Sequence, residues 1–166
     1  MRSLLEKGGR SLHDTVPRNR LLGRAWVFLC LALGLHTFDE ASTGFLAVYN
    51  PTVVALRQQL GWWPMPTFQL GEWLAGLIMA SVVLLALSGL VARGARGTRV
   101  LAYIFAIIML LNAGSHTLFS LLGRTVASVT FSRPAPGFWS SPFMAAAAIY
   151  LLIQLRRSRP ANSRNA

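Results

Sequence analysis

Within LHTFDE, residues 35–40, the side chains of His36, Asp39 and Glu40 are related by i, i+3 and i, i+4 inside an otherwise apolar run. A second polar pair, Asn112 and His116 of NAGSH, repeats the four-residue spacing in a later apolar run, and Glu72 stands at the start of another. On a helix these spacings stack the members of each pair on one face, a turn apart. Two neutral imidazoles with two or three carboxylates form a ligand set for zinc, iron or manganese. His36, Glu40, Glu72 and His116 are the predicted metal ligands, and Asp39 and Asn112 complete the candidate catalytic set, with Asn112 orienting a ligand. The same six residues without a metal could hold and move protons.

The elements that must carry these groups are membrane helices. The 166-residue chain is 54% hydrophobic and only 13% charged, with a mean hydropathy of +0.49, too apolar for a water-soluble domain of this size. Four segments of about 20 residues or more suit a bilayer, near 25–48, 71–92, 100–122 and 137–155. The predicted fold is an all-α integral membrane protein, a four-helix bundle over 24–155 between a polar basic tail at 1–23 and another at 156–166. The first span is expected to be retained rather than cleaved as a signal peptide, because Asp39 and Glu40 stand where cleavage would fall. Pro142 is tolerated in the first turns of the fourth span. Between spans one and two, Asn50-Pro51 opens a predicted short interfacial helix over TVVALRQQL, followed by Trp62 and Trp63 at the membrane interface.

The net charge of +11 does not indicate nucleic acid, because the basic residues flank the apolar runs instead of forming one stripe with interleaved aromatics. Thirteen Lys and Arg fall in the two tails and the link between spans two and three, whereas only Arg57, Arg124 and Arg133 fall on the other side. Both termini are therefore expected in the cytoplasm, with the protein in the cell membrane. Counted from the flanking arginines at about 1.5 Å per residue, His36 and Asn112 lie about 18–20 Å above the basic side and Glu40 and His116 about 24–25 Å. All four thus share the outer half of a hydrocarbon core about 30 Å thick.

The segment His36-Thr37-Phe38-Asp39-Glu40 resembles the H-x-x-E-E motif of the HXXEE domain, a family of small multi-pass prokaryotic membrane proteins, with Asp39 in place of the first glutamate. Asn112 to His116 is similar to that family's asparagine-to-histidine motif, and Pro136-Gly137 fits its pattern before the last span. The resemblance, from Arg24 to about Leu155, implies an enzymatic site without naming a reaction.

Several functions fit these residues. With zinc, the site would suit hydrolysis, and with iron, oxidation of a membrane lipid or another apolar small molecule. Without metal, it would suit acid–base isomerisation or hydration of such a substrate. Intramembrane acids and histidines also serve proton relays and transport, for which a unit of this size would need to oligomerise. A structural network pinning the helices is the non-catalytic alternative. Elsewhere, Cys30 reads as a small buried hydrophobe and His13 as a solvated tail residue. Ser140-Ser141 read as a helix cap or a head-group contact. Gly71, Ala75, Gly76 and Ala80 read as a small-residue packing stripe on span two. A reporter fused after Arg159 should be active only as a cytoplasmic fusion; activity confined to the outside would reverse the assigned orientation.

Overall fold

In the computed structural model, the backbone is described over residues 10–158 and the side chains over 19–158. The His13 side chain and the outer parts of both tails lie outside these limits. Among the described residues six helices follow in order: α1 (Arg10–Ser42), α2 (Phe45–Leu60), α3 (Leu70–Ala86), α4 (Ser88–Arg93), α5 (Thr98–Leu122) and α6 (Ser141–Arg157). A short antiparallel hairpin of β1 (Arg124–Val126) and β2 (Val129–Thr130), not foreseen in the all-α reading, lies between α5 and α6. Three segments are long and apolar enough to cross a membrane, Asn19–Ser42, Leu70–Arg93 and Thr98–Leu122, and they suggest a membrane protein. The expected fourth span corresponds to α6, which has 17 residues.

The core lies where α1, α5 and α6 meet. Ala25, Ala102, Ala106, Ala147 and Ala148 are fully buried at these contacts. With only a methyl group at each position the backbones approach closely, the main source of attraction between helices in lipid. Trp26, Leu29, Met144, Leu151 and Leu155 fill the space left between them. The predicted packing stripe on span two is corrected here: Gly71, Ala75, Gly76 and Ala80 are all exposed, and alanines of the other helices form the close contacts. Pro142 sits in the first turn of α6, where a missing backbone N–H costs nothing.

The first predicted span, 25–48, ends early. Ser42 and Thr43 donate their hydroxyls back to Phe38 O and Asp39 O, and Gly44 turns the chain with φ 77°. This left-handed conformation carries no Cβ penalty in glycine, so residues 45–48 start α2 instead of finishing α1. Helix α2 therefore begins before the predicted start at Asn50-Pro51. The Asn50 side chain instead clamps the following loop, donating to Phe68 O at 2.9 Å and accepting from Phe68 N at 3.0 Å.

Helices α3 and α4 form one apolar segment interrupted at Leu87, next to a Ser88-Gly89 pair; such pairs are a common cause of helix kinks. Trp26 Nε1 donates to Leu84 O at 2.8 Å beside this break, joining α1 to α3. Enlarging a methyl group in the core should be costly. Ala148→Leu is expected to destabilise the protein by about 1–3 kcal/mol, measured as a lower melting temperature in detergent.

Candidate functional site

Helix α1 presents His36 and Glu40 on one face, and α5 presents Asn112 and His116 opposite them. Glu40 Oε1 lies 3.4 Å from His36 Nε2 and 3.1 Å from His116 Nε2. The two imidazoles meet edge to face, with ring centroids 4.8 Å apart. His36 is 1% exposed and Glu40 and His116 5% each, so the carboxylate is taken out of solvent with two imidazoles as its neighbours.

The hydrogen bonds around His36 fix which nitrogen carries its proton. Asp39 Oδ2 accepts from both Ser140 N and Ser140 Oγ at 2.8 Å. A carboxylate can only accept, so the single hydroxyl proton of Ser140 is committed to Asp39. His36 Nδ1, 2.8 Å from Ser140 Oγ, must then donate to that oxygen. In the neutral ring this leaves a lone pair on Nε2, which stands 3.4 Å from Glu40 Oε1. Asn112 Nδ2 stands 3.1 Å from the same Nε2.

Three ligand atoms, one each from His36, Glu40 and His116, lie within 4.8 Å of one another, and together they could hold a metal ion. Donors bound about 2.0–2.1 Å from a tetrahedral zinc stand about 3.3–3.4 Å apart. The 3.1 and 3.4 Å contacts of Glu40 Oε1 are close to that spacing. Three protein ligands leave a fourth position for water or substrate, the pattern of catalytic rather than structural sites. The Asp39–Ser140–His36 chain has the form of the outer-layer bonds that orient a metal-ligating histidine.

Gly137 forms the roof of this centre. A Cβ built there would lie 2.8 Å from Glu40 Cγ, 2.9 Å from His116 Cε1 and 3.0 Å from His36 Cε1, and its φ is +79°. Gly137 N donates to Thr43 Oγ1 at 3.1 Å, Ser141 Oγ donates to Gly137 O at 2.7 Å, and Ala135 N donates to Ser120 Oγ at 2.8 Å. The segment before α6 is thus tied to the turn after α1, to α5 and to α6.

Two predicted site residues fall elsewhere. Glu72, expected as a ligand, is exposed and accepts from Gln69 N at 3.1 Å in a capping box at the start of α3. It joins the centre only as part of the wall of a groove of about 370 Å³ that also contains Glu40 and Asn112. Asp39 is directed at Ser140 and serves His36 through it. Conversely, sequence reasoning did not assign site roles to Gly137, Thr43 or Ser120, and it took Ser140 for a cap or head-group contact. Only Thr43, three residues after Glu40, stood beside the charged run; Ser120, Gly137 and Ser140 are remote from it in sequence and carried no such signal.

A second cavity, of about 230 Å³, opens against His116 and Asn112 from the other side of Phe45. Its walls include Val48, Phe119 and Phe131, so it is mainly apolar. Phe45 stacks on Trp73 and Tyr49 and separates this cavity from the groove. The Tyr49 phenol donates to Pro66 O at 3.0 Å; burial pushes its pKa up, against the pull of Arg57.

The chain matches no family model, no curated protein and no solved structure. Gly137→Ala is expected to lower the melting temperature and to displace the imidazole NMR signals of both His36 and His116. The physical cause is a methyl group forced into the centre at a left-handed backbone position.

Proposed function

We propose that the protein is a membrane-embedded enzyme whose His36–Glu40–His116 centre holds a divalent metal ion, zinc, iron or manganese, and acts on a lipid or another apolar molecule. The observation that carries this reading is the direction of two imidazole Nε2 atoms at a single buried carboxylate oxygen, with one ring's tautomer set by Ser140 and Asp39. Charged side chains at membrane depth are costly and ordinarily mark functional sites. A bound metal would supply Lewis acidity or, in the case of iron, redox chemistry.

The chain's own residues have separable tasks. Ser140 and Asp39 hold the His36 Nδ1 proton, Gly137 leaves space for the three ligands to meet, and the two cavities bring apolar substrate to His116 and Asn112. Helix α6 would form the fourth member of a four-helix bundle, and α2 would lie at the outer interface with Trp62 and Trp63. The charge asymmetry favours cytoplasmic termini. The H-x-x-E-E resemblance favours an enzyme and leaves the reaction open.

A second reading, acid–base catalysis without metal, is favoured by one specific contact. Asn112 Nδ2 lies where it can donate to His36 Nε2, occupying the lone pair that a metal would need. Glu40 would then orient His116 as a general base, as a carboxylate does in a catalytic triad.

Elemental analysis of purified protein separates the two. The metal reading expects about one equivalent in the wild type and its loss from His36→Ala, His116→Ala and Glu40→Gln, with each variant still folded in a thermal melt. Ser140→Ala should weaken metal affinity by about 10–100-fold. Wild-type protein from metal-replete cells that carries no metal would overturn the metal reading in favour of acid–base chemistry.

A further inference from the structure

At the basic end of the bundle, remote from the histidine centre, a groove of about 520 Å³ runs between α1 and α4. One wall is formed by Arg20, Arg24, Val27, Phe28 and Leu31. These positions, spaced i, i+4, i+7, i+8 and i+11, make a single stripe along α1. The stripe changes character along its length, with two arginines at the mouth and three apolar side chains beyond them.

The floor is Gly23, Ser88, Gly89 and Ala92. The two helices nearly touch there: a Cβ on Gly23 would fall 2.7 Å from that of Ala92. Small residues therefore make the groove concave, while Phe28 and Leu31 remain 47% and 59% exposed along its side.

Neither Arg20 nor Arg24 forms an ion pair or a side-chain hydrogen bond among the described residues, whereas Arg99 is occupied by Ser158 O and Leu155 O. The described carboxylates, Asp39, Glu40 and Glu72, belong to the opposite end. Two exposed guanidiniums above an apolar trough are complementary to a molecule with an anionic head and a hydrocarbon tail. From Arg20 to Leu31 is about 16 Å of helix, close to the depth of one leaflet in a hydrocarbon core about 30 Å thick.

We propose that this groove binds one anionic glycerophospholipid, its phosphate held between Arg20 and Arg24 and an acyl chain lying along Val27, Phe28 and Leu31. Guanidinium groups suit phosphate because they present several donors in a planar fork, and basic pockets between membrane helices recognise anionic head groups. The inference is independent of the reaction at the histidine centre.

The test is native mass spectrometry of detergent-purified protein titrated with phosphatidylglycerol, phosphatidylcholine or glycerol phosphate. One molecule of phosphatidylglycerol should be retained in preference to phosphatidylcholine, and glycerol phosphate, lacking the chains, should not be retained. Arg20→Ala/Arg24→Ala should lower phosphatidylglycerol affinity about tenfold or more. Arg156→Ala/Arg157→Ala, which removes the same charge elsewhere, should leave it unchanged. Gly89→Leu fills the floor without altering charge and should also displace the lipid, keeping the test decisive if the double arginine variant does not fold. Equal retention of phosphatidylcholine, equal loss in both double variants, or full binding by Gly89→Leu would overturn the proposal. Retention of glycerol phosphate as tight as that of the lipid would overturn the role of the apolar stripe.

Discussion

A carboxylate cannot be left alone inside an apolar helix bundle, and much of the upper half of this molecule is arranged around Glu40. Removing a charge from water costs several kcal/mol unless partners replace the lost hydration. His116 from α5 can donate to one oxygen of Glu40, whereas the His36 lone pair faces that same oxygen and compensates its charge only through a proton or cation held between them. Whichever species occupies the space between them, a proton or a metal ion, it must reconcile two nitrogens and an oxygen held by separate elements.

The surroundings hold this arrangement rigidly. Alanine contacts among α1, α5 and α6 bring the backbones close enough for short side chains to reach across. Asp39 and Ser140 connect α1 to the start of α6, so one pair of residues both ties the two helices and sets the His36 tautomer. The turn at Ser42 to Gly44 then serves twice. It ends α1 just beyond Glu40, and it starts α2 so that Phe45 lies 6.1 Å from the His116 ring, between the two cavities.

The periphery follows a different rule. In the α3–α4 segment only 6% of the most hydropathic window is buried, and Ile78, Met79, Val82 and Val83 face outward. In water such a surface would drive aggregation, whereas in a bilayer it is ordinary lipid contact. Among the described residues, the buried histidines and carboxylate gather in a shielded centre near one end, while most of the arginines, Arg57, Arg124 and Arg133 excepted, belong to the other.

Local information determined much of this. Hydropathy alone gave the apolar helices. The four-residue spacings of His36 with Glu40 and of Asn112 with His116 placed each pair on one face, because helical phase is a property of a single segment. Glu72 turns to its own backbone rather than to the histidines, in a capping box with Gln69 that the usual Ser, Thr, Asp or Asn did not announce in the sequence. Other features depended on residues distant in the chain. Ser140 lies 104 positions from His36, and its role follows from a contact that no spacing encodes. Gly137 looks like an ordinary turn glycine until three side chains from two helices are found where its Cβ would stand. The break after Ser42 was hidden because apolar sequence resumes at once from Phe45, and hydropathy does not register a change of direction. Sequence specified which groups were available and which shared a helix face; only tertiary packing decided which faces met, because that depends on where small residues let backbones approach.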